Sequence, residues 1–478
     1  MLENKFFSQL SNHIKQMVKN RKYVFIILLA LYKNFIFASY GLDYKDSLLK
    51  SQNDFLLYLN ENELNDIYQY DKYKILNQDS VINVNVNGLY QGLSIKPKMM
   101  MNLFFYGKSN NISFFFEPMI TNKDYGEKIL GTNYERSGIS GRIQKSYISI
   151  EKPLYTFKFG RFPIFWGEST FGSMIQSGLY PAYDNAMISY KFGKLKYDML
   201  LGTLSSNKNS DGFLIRRYLS GKRISIQFNK SYSVSAGEQI LYTGQNRQIS
   251  LRYLNPFAPN FLTGLEENER DSSSDNDNSM LFFHQRYVFN NNSSIFNELI
   301  IDDYQIDDSG LDHAIGVKLG YDKIFNFINN KCLLVLEYTN ISPLTYIHHG
   351  EYTSWQNLNH NIGYPLGADI ENVQLKFYIK NKKNRVVNIE LDYLLKGENN
   401  TNSLWVWNEI LNNQNNLTTK HLFFKLGLIY NMDWGFIELA WQPINKLNSK
   451  IVQNDYFNNK NEAIIKLVYN IKKSINTF

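Results

Sequence analysis

Catalysis and ligand binding need groups that move protons, hold metals or attack carbon, so the places where such groups gather come first. Four acids, Asp302, Asp303, Asp307 and Asp308, follow the apolar run "FNELII". At the end of a strand they suit a cation or sugar hydroxyls at a rim, or are simply a charged strand end in water. His348, His349 and Glu351 are the one cluster among seven histidines, in a polar stretch that gives weak grounds for a metal. The run "EENERDSSSDNDN" (266–278) has no apolar residue and reads as a solvated loop. The single cysteine, Cys332, sits in "KCLLVLEY", the setting of a buried thiol rather than a nucleophile. There is no phosphate-binding glycine loop, CxxC, HExxH or GxSxG pattern. With no nucleophile and base to assemble, neither an enzyme nor a resident metal or cofactor is expected.

A second kind of chemistry is non-covalent. Trp355, Gln356 and Asn357, with Trp405 and Trp407, combine indole faces with side-chain amides in long polar stretches. That mixture suits shallow recognition of sugars. Tryptophans at strand ends also serve as interfacial anchors in membranes, and the sequence leaves both readings open.

The elements that would position these residues are strands. In "VINVNVNG", Ile82, Val84 and Val86 share one phase and Asn83, Asn85 and Asn87 the other. The same period of two runs through "ENVQLKFYIK" (371–380), "HLFFKLGLIYN" (421–431) and "EAIIKLVYNIKK" (462–473). Many segments are longer than an ordinary strand of about 5 or 6 residues. Aromatics, 15% of the chain, gather near segment ends. Tight connections at 192–194 and 431–435 contrast with long polar ones at 255–279, 343–370 and 397–419. Long tilted strands, aromatic girdles and unequal ends describe a transmembrane antiparallel β-barrel, all-β, of about 18 strands. The expected localisation is the outer membrane, with membrane lipid and the barrel assembly machinery as partners and a monomer as the working state.

The N-terminus reads as export. A basic flank, the apolar run Tyr23 to Tyr32 and the small pair Ala38-Ser39 have the order of a signal peptide over residues 1–38. An uncleaved anchor is the other reading, but the apolar run is about half of what a spanning helix needs. Residues 39–79 read as a small helical periplasmic leader, and 80–478 as the barrel. The formal charge of +7 lies mostly in the export segment, where Lys5, Lys15, Lys19, Arg21, Lys22 and Lys33 face Glu3 alone. The nearly neutral remainder gives no electrostatic reason to bind nucleic acid.

One stretch fits neither strand nor polar loop: "GRFPIFWGESTFGSMIQSGLYPAY" (160–183), with Arg161 and Glu168 its only charged residues. So apolar a segment is unsuited to water. Irregular backbone is equally unsuited to lipid. It is therefore expected inside the barrel as a plug, formed by Arg161, Trp166, Gly167, Glu168, Phe171, Gly172, Ser173 and Ser177, with Arg161 pairing to Glu168 or to a lumen carboxylate. An open charged lumen would instead make a porin for small solutes.

The same stretch carries a resemblance. Gly160, Arg161, Trp166, Gly167, Gly172, Ser173 and Ser177 are similar to the motif of the capsule assembly Wzi family of outer-membrane proteins, although Glu168-Ser169 stands where that family commonly has Pro-Gly. "GEQILYTGQNRQISLRYLNPF" (237–257), "NELIIDDYQID" (297–307) and "GYPLGADIENVQL" (363–375) resemble it in the same order. The resemblance implies a barrel of about 18 strands with a small periplasmic helical part. It also implies a non-enzymatic role in holding capsular or exopolysaccharide at the cell surface.

Overall fold

The computed structural model describes residues 81–91, 98–123, 126, 130–132, 134–169, 172–229, 231–264, 277–289, 292–303, 313–328, 330–348, 352–381, 385–397, 419–432, 435–442, 444–447 and 462–476. The export segment, the helical leader, Phe171, Asp307, Asp308, His349, Glu351, Trp405, Trp407 and all but the last two residues of the acidic run lie outside them.

Alternation sets the architecture. In Ala314–Phe327, Gly316, Lys318, Gly320 and Asp322 are buried, while Ile315, Val317, Leu319 and Tyr321 between them are half-exposed. The arrangement is inverted relative to a water-soluble protein. Lys318 and Glu298 are 0% exposed, whereas Ile148 and Phe159 are 51% and 62% exposed. An outer face of exposed aliphatic and aromatic side chains around a polar, buried inner face is the pattern of a barrel whose solvent on the outside is lipid.

Among the described residues, eighteen strands form the wall. They are β1 (Val81–Gln91), β2 (Lys98–Ser109), β3 (Ile112–Asn122), β4 (Ile139–Glu151), β5 (Tyr155–Phe162) and β6 (Tyr183–Phe192). Then come β7 (Leu195–Thr203), β8 (Leu214–Gln227), β9 (Tyr232–Gly244), β10 (Asn278–Phe289), β11 (Ser293–Asp303) and β12 (Ala314–Phe327). The last are β13 (Asn330–Ile341), β14 (Ile370–Lys380), β15 (Arg385–Lys396), β16 (Thr419–Met432), β17 (Gly435–Gln442, prolonged by Ile444–Leu447) and β18 (Glu462–Asn476). Each pairs antiparallel with the next. β1 pairs with β18 along its whole length, so the ring closes and leaves no edge. Pro118, which cannot donate to a ladder, sits where the β3–β4 register shifts at a bulge.

The two ends differ as the sequence predicts. Connections at 110–111, 152–154, 193–194, 228–231, 328–329 and 433–434 are tight and share one end with the start of β1 and the end of β18. The long connections leave from the other end.

Two of those long connections fold back onto the wall on opposite sides. Residues 163–182, between β5 and β6, turn inward. Residues 249–264, from the connection after β9, lie on the outside of β7–β9. There Ser220 Oγ donates to Tyr253 O at 3.0 Å and Tyr197 OH donates to Pro256 O at 2.6 Å. Lys222 Nζ donates to Ala258 O, and the amides of Asn260 and Phe261 donate to the Glu238 carboxylate. Tyr218, Ile240 and Tyr242, outward on their strands, are buried beneath it with Tyr253. The expectation of one polar external loop across 255–279 is corrected here: its first part, led by prolines and apolar residues, is packed against the barrel.

Candidate functional site: the segment folded into the lumen

The wall strands β5 and β6 pair up to Phe162 and Tyr183, so the chain leaves and returns at adjacent points. In between it makes a narrow antiparallel bridge. Trp166 N donates to Gln176 O at 3.1 Å and Gln176 N to Trp166 O at 3.2 Å. The tip of this bridge must bend sharply against the wall. Gly167 has φ +129°, and a Cβ there would collide with Ser173 Oγ and Glu298 Oε1. Gly172 has φ +130°, with Pro365 Cδ 2.8 Å from where its Cβ would stand. Both positions therefore demand glycine.

One wall carboxylate organises the tip. Glu298, on β11, accepts the amides of Glu168 at 2.7 Å and Ser169 at 2.9 Å on Oε1, and that of Met174 at 2.8 Å on Oε2. Ser173 Oγ shares its proton between Trp166 O at 2.6 Å and Glu298 Oε2 at 3.1 Å. Converging backbone N–H groups thus neutralise a buried anion and find an acceptor of their own. Lys318, the cross-strand partner of Glu298, supplies the complementary cation. Its Nζ donates to Gly172 O at 2.6 Å, Ser169 Oγ at 3.1 Å and Glu337 Oε2 at 3.1 Å.

Glu168 is the segment's own anchor. His284 Nδ1 lies 2.9 Å from its Oε1, and Arg286 Nε donates to its Oε2 at 2.7 Å. Arg286 reaches onward to Glu168 O at 2.8 Å and Asp322 Oδ1 at 2.9 Å. Burial by itself raises the Glu168 pKa, but the His284 hydrogen bond and the Arg286 charge outweigh it and hold the carboxyl down at about 2. Trp166, 1% exposed, fills the space over Gly221, with the Arg223 guanidinium 5.0 Å and the Phe282 ring 5.6 Å from its ring.

A second connection, 342–369, interlocks with the first. Tyr346 OH donates to Met174 O at 2.6 Å, Ser177 N to Ile362 O at 3.0 Å and Asn357 Nδ2 to Pro181 O at 2.8 Å. Asp302 holds this second segment by accepting Tyr346 N at 2.7 Å and Trp355 Nε1 at 3.0 Å.

Several expected residues sit elsewhere or do other work. Arg161 does not reach Glu168 or the lumen. It faces outward and forms a two-pronged pair with Asp184 on β6, at 2.9 and 2.8 Å. The phase of β5 decides this, because Gly160 and Phe162 take the inward positions. Trp355, Gln356 and Asn357 are buried, at 1%, 8% and 1%, so they do not present a sugar-binding surface; their polar atoms serve the packing of the two segments. Asp302 is likewise committed to that packing, and Asp303 is half-buried beside it. Trp166, Gly167, Glu168, Gly172, Ser173 and Ser177 are brought together. Among the described residues no group of three His, Cys, Asp or Glu is placed to hold a metal. Sequence reasoning missed Glu298, Lys318, His284 and Arg286. Their signal was a charged residue in the inward phase of an otherwise apolar strand.

No protein-family model and no curated protein matches the chain. Among solved structures, the barrel is similar to Wzi of Escherichia coli, described as an outer-membrane protein involved in group 1 capsule assembly and a carbohydrate-binding β-barrel. The TM-score is 0.59 at 12% identity, covering 91% of this chain and 89% of that one. It is also similar to OccAB4 of Acinetobacter baumannii (TM-score 0.47, 7% identity, 83% and 99% covered) and OccD3 of Pseudomonas aeruginosa (TM-score 0.45, 8% identity, 83% and 91% covered). A ring of eighteen strands, a lipid-type outer face and this overlap agree: the chain is an outer-membrane β-barrel with the fold of Wzi.

Proposed function

We infer that this is a surface protein of the outer membrane that binds capsular or exopolysaccharide without catalysis and helps to hold or assemble it, its lumen shut to solute flow. The observation that carries the reading is the anchored segment 163–182. A carboxylate accepting three backbone amides and a lysine donating to a carbonyl bind it to the wall. The fold shared with a carbohydrate-binding barrel supports the sugar as ligand. With Trp355 occupied inside, Trp405 and Trp407 in the connection 397–418 are the candidates for stacking on sugar rings. In this reading the barrel assembly machinery inserts the chain, and it works as a monomer.

The test is a strain lacking the protein, complemented with wild type or with Trp405→Ala/Trp407→Ala. Loss of cell-bound polysaccharide without the protein, restored by wild type and not by the double variant, is the expected result. Full retention of surface polysaccharide in the deletion strain overturns the proposal.

A further inference from the structure

The segment 249–264 poses a problem that the plug does not. Lys222 and Glu238 are cross-strand partners at the middle of β8 and β9, and both point outward. A charge pair on the outer wall at mid-barrel faces hydrocarbon unless something covers it. The segment covers it, yet apart from a 3₁₀ turn at Arg252–Leu254 and a helical turn at 260–264 it is irregular backbone, which hydrocarbon also rejects unless its polar groups are satisfied.

Here they are. Pro256 and Pro259 carry no N–H. Leu254 N donates to Leu251 O at 3.1 Å and Asn255 N to Arg252 O at 3.1 Å. Phe257 N donates to Asn255 Oδ1 at 3.1 Å, and Thr263 N to Pro259 O at 3.1 Å. Asn260 N and Phe261 N go to Glu238, while Tyr253 O, Pro256 O and Ala258 O accept from Ser220, Tyr197 and Lys222. The side turned away from the barrel is mostly apolar: Leu251, Phe257, Phe261 and Leu262 are 79%, 93%, 41% and 54% exposed, with Arg252 and Asn255 exposed among them. That surface continues sideways into the bare outer wall at Ile224 and Leu281, 47% and 41% exposed.

We propose that residues 249–264 form a latch immersed in the bilayer, its apolar side packed against lipid acyl chains and its backbone tied to the wall by Tyr197, Ser220, Lys222 and Glu238. The occupant is lipid because the large exposed apolar side chains are continuous with the lipid-facing wall, and the backbone ties to Tyr197, Ser220, Lys222 and Glu238 turn toward the barrel.

The experiment places one cysteine at a time, Phe257→Cys or Leu251→Cys, in a Cys332→Ser background, attaches an environment-sensitive fluorophore and reconstitutes the full barrel in phospholipid vesicles. Ile224→Cys on the bare wall and Asp211→Cys in an exposed connection are the lipid and water references. Labels at 257 and 251 are expected to lose emission to acyl-brominated lipid as strongly as the label at 224, and to ignore aqueous iodide. Quenching by iodide, as at 211, overturns the proposal. So does protection from both quenchers together with a mass of two copies per particle, which makes the surface a contact between copies of the chain. In Lys222→Met/Glu238→Leu the label at 257 is expected to become reachable by iodide; if it stays in lipid, these two residues do not hold the latch.

Discussion

The plug and the outer latch are two solutions to one problem, found on opposite faces of the same wall. Each is a connection that leaves the long-loop end and folds back along the barrel. Each is tied by a cross-strand glutamate–lysine pair, Glu298 with Lys318 inside and Glu238 with Lys222 outside. In both, the glutamate accepts backbone amides and the lysine donates to a backbone carbonyl. The difference is phase. Glu298 and Lys318 occupy inward positions and Glu238 and Lys222 outward ones, and a shift of one residue along a strand exchanges the faces. What an irregular segment needs is a dry surface carrying partners for its backbone. Whether that surface lines a lumen or faces lipid follows from the parity of two residues in the wall.

The comparison breaks most visibly if the inner pair is removed. Glu298→Leu strands three amides, at about 1–3 kcal/mol for each buried unmet group. The plug should leave its seat: protease should cut within 163–182, and planar bilayers should show new ion conductance. Glu298→Gln keeps one acceptor oxygen and should do less of both.

A smaller and graded effect comes from acid. Glu168 has a carboxyl held at about 2 against an ordinary 4.5, so its contribution is complete above about pH 4.5 and is lost as pH falls toward 2. The heat-unfolding midpoint of the folded barrel, followed by gel mobility, should therefore fall across that window. In Glu168→Gln the fall should be shallower, from a lower starting point.

Arg161→Ala should do least. Its partner Asp184 has a side chain 62% exposed, and pairs of that kind contribute about 0–1 kcal/mol. Unfolding should shift little and conductance not at all, which separates a pair on the outer wall from the ties of the plug.

These contrasts also show what the sequence reveals and what it hides. The strand period, the tight connections at 192–194 and 431–435 and the odd composition of 160–183 lead to the barrel and to a segment folded inward, because alternation and solvent are local constraints. Arg161 was misplaced because a residue at the end of a strand takes its side from the strand's phase, not from the loop that follows. Trp355, Gln356 and Asn357 look like a sugar-binding surface because indoles and amides suit sugars. The same atoms equally suit a packed interior where Asp302 and Pro181 O await donors and Ser205 N an acceptor. The latch was hidden in a connection read as polar. Its trace was there in "GKRISIQF" and "GEQILYTG": Lys222 shares a phase with Ile224, and Glu238 with Ile240. Charged residues in the lipid-facing phase on neighbouring strands announce that something other than lipid covers them.

The central claim is that the lumen is filled by a segment fastened to its wall, and single-channel recording on the purified wild-type barrel in planar bilayers tests it most directly. Bilayers that stay silent with wild type and conduct with Glu298→Leu are the predicted result. Large, steady conductance from wild type, unchanged by Glu298→Leu, would contradict it.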